Sequence, residues 1–71
     1  MMKYIRDEGD RIWVFPSDVS HEDFVSHNGI APRSAGQVIS ENGKPFCLGN
    51  SMTLGLVSEK DDTEFLRNAI K

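Results

Sequence analysis

The sequence predicts a two-layer α+β domain, a small antiparallel sheet of four to five strands with two short helices in the order β-β-α-β-β-(β)-α. Three observations carry this reading. β-prone runs flank tight turns at "DEGD" and "NG". Two amphipathic segments begin with helix-capping residues. A chain of 71 residues has room for one core, so residues 1–71 form a single small globular domain.

"KYI" (3–5) and "RIWVF" (11–15) are short β-prone runs around "DEGD". They predict a hairpin in which Gly9 supplies a positive φ, and Pro16 ends its second strand. "VSHEDFVSHNG" is the clearest local signal. Ser20 is placed to cap a helix over 21–28, with Asp23 in the return position of a capping box. Val19 and Phe24 form a hydrophobic staple, and Gly29 suits the left-handed residue that closes the helix.

Asn42-Gly43 is the preferred pair for a two-residue type I′ turn. That turn sets Glu41 opposite Lys44, Ser40 opposite Pro45, Ile39 opposite Phe46 and Val38 opposite Cys47. Pro45 then has no N–H to offer a further strand, so its strand is an edge there. "MTLGLV" (52–57) alternates as a fifth strand weakened by Gly55. "DDTEFLRNAIK" (61–71) is a second helix, with Asp61 as cap, Glu64 in the return position and Ser58 as a competing cap. Phe65, Leu66, Ala69 and Ile70 are its apolar stripe.

Composition excludes several functions. The eight Lys and Arg are scattered and the net charge is −3, so no basic stripe tracks a nucleic acid. The longest apolar run, Ile12 to Phe15, is too short to span a membrane. One cysteine forms no intrachain disulfide, which predicts a reduced, cytoplasmic protein of bacterial or phage type.

Motif-like fragments fail on spacing. His21 and His27 in "HEDFVSH" are six apart, about 240° around a helix, whereas a shared metal needs a spacing of four. "GNSMT" lacks the final glycine of a nucleophile elbow. Cys47 falls within a strand between Phe46 and Leu48, where apolar neighbours make a thiol unreactive. No catalytic residue, metal or cofactor is assigned, and an enzyme is not expected.

Both sheet faces carry large apolar side chains. If both helices lie on one face, the other is left for a partner, with Trp13, Phe15 and Val38 as the interface. The functional expectation is a non-catalytic protein-interaction or regulatory module, self-associating as a homodimer or binding another protein. The alternative is a small-ligand or anion-binding domain using Arg33-Ser34 and the turn 49–51, with Ser51 as a contact.

Overall fold

The structure, a computed structural model, describes residues 1–70; Lys71, the last residue of the predicted second helix, lies outside them. The chain forms β1 (Met2–Asp7), β2 (Ile12–Pro16), α1 (His21–Asn28), β3 (Pro32–Glu41) and β4 (Lys44–Leu48). It continues through β5 (Asn50–Ser51), β6 (Leu56–Val57) and α2 (Asp62–Ala69). Four strands make an antiparallel sheet in the order β2-β1-β3-β4, and β5 pairs with β6 separately. The class is the predicted α+β.

Local chemistry explains most boundaries. Ser20 Oγ accepts the Asp23 N–H at 3.0 Å, and Gly29 closes α1 with φ 60°. Asn42 and Gly43 take φ values of 53° and 76°, and the predicted β3–β4 register holds at every pair. The first turn differs from expectation. Its left-handed residue is Asp10, at φ 64°, rather than Gly9. The Asp7 carboxylate accepts the N–H groups of Gly9 and Arg11, and Arg6 grips the Asp10 carboxylate, which together set the loop.

Residues 52–57 do not form one strand. Asn50–Ser51 and Leu56–Val57 pair around a turn in which Ser51 Oγ accepts the Leu54 N–H. Gly55 takes φ 67° there, which explains why alternation alone misleads. Asp61 does precede α2, but its side chain makes no cap bond because Arg6 claims it.

β1 is paired on both sides, and its registers sort the faces. Tyr4 lies opposite Val14 and Gly36, and Arg6 opposite Ile12 and Ser34, so these six share a face. α2 packs there, bringing Asp62 onto Tyr4, Arg6 and Ser34. The other face holds Ile5, Phe15 and Ala35, and α1 covers it. Phe24 stacks on Phe15 at 4.1 Å, and His21 meets the same ring edge-on. Leu54 and Leu56 close the rest of this core. Each face therefore has one helix.

Gly36 is a packing requirement. A Cβ there would collide with the Leu48 carbonyl oxygen and lie 2.6 Å from Ser58 Oγ. The obstacle is backbone, which relaxes poorly. Gly36→Ala is expected to lower stability by roughly 1–3 kcal/mol, read from urea midpoints. An unchanged midpoint would contradict this close approach.

Candidate functional site

The structure does not assemble the expected aromatic face. Phe15 is only 2% exposed, beneath α1. Trp13 is half-buried against Phe24, and its indole N–H donates to Asp7 Oδ2 at 2.9 Å. Val38 lies on the opposite face, because Met2 pairs with both Pro16 and Val38. The expectation failed because the helices divide between the faces.

The Arg33-Ser34 and Ser51 set is also dispersed. Arg33 forms a bidentate pair with Glu59 at 3.1 and 3.2 Å and a further bond to Asp10 at 2.9 Å. Ser34 is buried and donates to Asp62. Ser51 instead borders a cleft of about 260 Å³ with Lys3, His21 and Gln37. The polar groups of that cleft are engaged internally. Lys3 donates to the Val19 carbonyl, Gln37 to that of Asn50, and His21 Nε2 bonds the Gly36 carbonyl.

Sequence reasoning missed the main polar centre. Arg6 and Asp62 are both buried and 3.0 Å apart. Asp62 also accepts hydrogen bonds from Tyr4, Ser34 and the Glu59 N–H. Arg6 reaches Asp10 and Asp61 as well, and its guanidinium lies 4.0 Å from the Phe65 ring centre. Burial opposes ionisation of Asp62, but bonds from Tyr4, Glu59, Arg6 and Ser34 hold its carboxyl below the usual range. Both Asp62 oxygens are occupied by internal donors. The buried pair is a structural clasp. Among the described residues, no group of three His, Cys, Asp or Glu is arranged to hold a metal.

Cys47 is held as a neutral thiol. Burial and the nearby Asp62 charge push its thiol up to about 11. His21 packs on the other sheet face against Phe15. Burial also lowers the His21 pKa, despite its bond to the Gly36 carbonyl.

The two sheet edges differ sharply, and this difference defines the candidate site. On β4, Pro45 has no N–H, and its carbonyl accepts Arg67 Nε at 3.1 Å. The outward Cys47 N–H donates to Thr63 Oγ1 at 2.9 Å. Residues of α2 thus close that edge. On β2, the Asp7 N–H bond to the Arg11 carbonyl fixes the alternation, so Trp13 and Phe15 point their backbone groups at β1. Ile12 and Val14 point theirs outward, and among the described residues nothing bonds them. Val14 is 41% exposed, and Ile12 is half-buried beside it. The edge is short, bounded by the left-handed Asp10 and by Pro16, and the flanking Arg11 guanidinium lies over the Trp13 ring at 5.0 Å.

The signal for this site was legible in part. "RIWVF" (11–15) reads as a strand, but its edge position depends on β1 pairing with β3 as well. Comparison with protein-family models, curated sequences and solved structures gives no match.

Two outcomes follow from the buried groups. Native Cys47 should react slowly with thiol reagents at neutral pH and normally once unfolded. Fast native labelling would contradict the raised thiol pKa. Acid should lower stability in two stages. His21 titrates below its ordinary 6.5, so the unfolded chain takes the proton first and stability falls below about that pH. The depressed Asp62 contributes fully above its ordinary 3.8 and loses that contribution as pH falls through its folded value. Asp62→Asn should cost roughly 3 kcal/mol at neutral pH and shrink the lower stage. An unaltered acid profile in that variant would contradict the clasp.

Proposed function

We propose that the chain is a non-catalytic protein-interaction module that receives an extended protein segment along β2. The observation that carries this reading is the pair of outward-facing, unbonded residues Ile12 and Val14, on the edge opposite the one that α2 side chains bond. Main-chain groups on such an edge bond an added strand, and alternate side chains set its specificity. Here Ile12 and Val14 would face the added strand on one side and Trp13 on the other. The contrast with β4 supports the reading, since the opposite edge is covered by α2. The raised Cys47 thiol and the internally bonded Asp62 carboxylate are poor reacting groups, which argues for binding over catalysis. A single free cysteine suits a reducing, cytoplasmic setting.

The test uses a capped synthetic peptide of alternating valine and threonine, titrated into labelled protein and followed by amide chemical shifts. Perturbation should centre on Ile12 and Val14 and spare Cys47. Shifts confined to the Lys3–Ser51 cleft, or none at about millimolar peptide, would overturn the proposal.

A further inference from the structure

We infer that the strand received by β2 is the β2 of a second copy, paired antiparallel about a two-fold axis at Trp13. This rests on the docking reading above and names its partner. Each copy offers the N–H and C=O of Ile12 and of Val14. An antiparallel partner of the same sequence can be centred on Ile12, on Trp13 or on Val14. Centring on Val14 sets Ile12 against Pro16, which has no N–H and whose carbonyl already accepts the Val19 N–H. Centring on Ile12 sets Val14 against Asp10, where the left-handed backbone leaves the strand. Only the Trp13-centred register matches each Ile12 with the Val14 of the second copy. All four donors and all four acceptors are then used.

Side chains agree with that register. Trp13 would lie opposite its own copy at a non-hydrogen-bonded position, where side chains approach closest and aromatic pairs stabilise. The indole is already held by Asp7 and Phe24, so little rotamer freedom is lost on pairing. On the other face, Ile12 and the exposed Val14 of each copy would form a four-residue β-branched cluster. The ladder stops at Asp10 and Pro16 on each strand. Such a short contact belongs with small, weak interfaces, below about 1,200 Å². The dimer should therefore form in the micromolar range or weaker.

Sedimentation equilibrium from about 10 μM to 1 mM tests the inference. The mass should rise from 8.0 kDa toward twice that value. An exciton couplet from paired indoles should grow in parallel in the far-ultraviolet circular dichroism. Val14→Pro removes an outward N–H that the β1–β2 ladder does not use, and so two bonds per dimer. It should weaken association about tenfold or more. Val14→Lys, which leaves the backbone intact, should do the same if the proline variant fails to fold. A mass of 8.0 kDa throughout would overturn the dimer, as would a dimer that lacks the couplet and survives Val14→Lys. A monomer that still takes the valine–threonine peptide on β2 would refute the second copy while leaving the docking edge standing.

Discussion

The buried ion pair between Arg6 and Asp62 ties the last helix to the sheet. Arg6 sits in β1, one of the two inner strands of the sheet, and Asp62 opens the last helix. Two charges removed from water are costly unless every polar atom finds a partner. Here Tyr4, Ser34 and the Glu59 N–H complete Asp62, while Asp10 and Asp61 complete Arg6. The pair therefore links β1, β3, the first turn and α2 in one network. Removing either partner strands the other charge, at a cost of roughly 3–5 kcal/mol. For a domain this small, that is a large share of the total stability.

The same network decides which surfaces are covered. With Asp62 fixed over the middle of the sheet, α2 directs Thr63 and Arg67 along the β4 edge. α1 packs on the other face, held there by its own cap at Ser20 and by Phe24 on Phe15. Both faces and one edge are then occupied. What is left is β2, which no helix residue bonds from outside. The proposed role follows from this asymmetry rather than from any reactive group.

Local signals in the sequence carried far. Ser20, Gly29 and Asn42-Gly43 specify backbone geometry within a few residues, so α1 and the β3–β4 hairpin were legible in detail. Two failures are local, the Asp10 turn and the break at Gly55, where side-chain bonds and a left-handed residue override pattern; the larger ones are long-range. Arg6 and Asp62 are 56 positions apart, and nothing local marks a charged residue in a β-prone run as buried. One cue was available: Arg6 shares strand parity with Tyr4, which places it on a face that must be covered. Asp61 read as a cap because capping chemistry is local, whereas its actual partner is Arg6. The Trp13–Phe15–Val38 face failed for the same reason, since it required the relative register of two hairpins.

Residue-resolved amide hydrogen exchange reads whether the clasp holds α2 so as to seal one edge and leave the other open. In dilute solution the Cys47 N–H should exchange slowly, because Thr63 and α2 must first detach. The Ile12 and Val14 amides, which bond nothing, should exchange at nearly the rate of an unstructured chain. Cys47 exchanging as fast as Ile12, or Ile12 and Val14 protected in the monomer, would contradict the account.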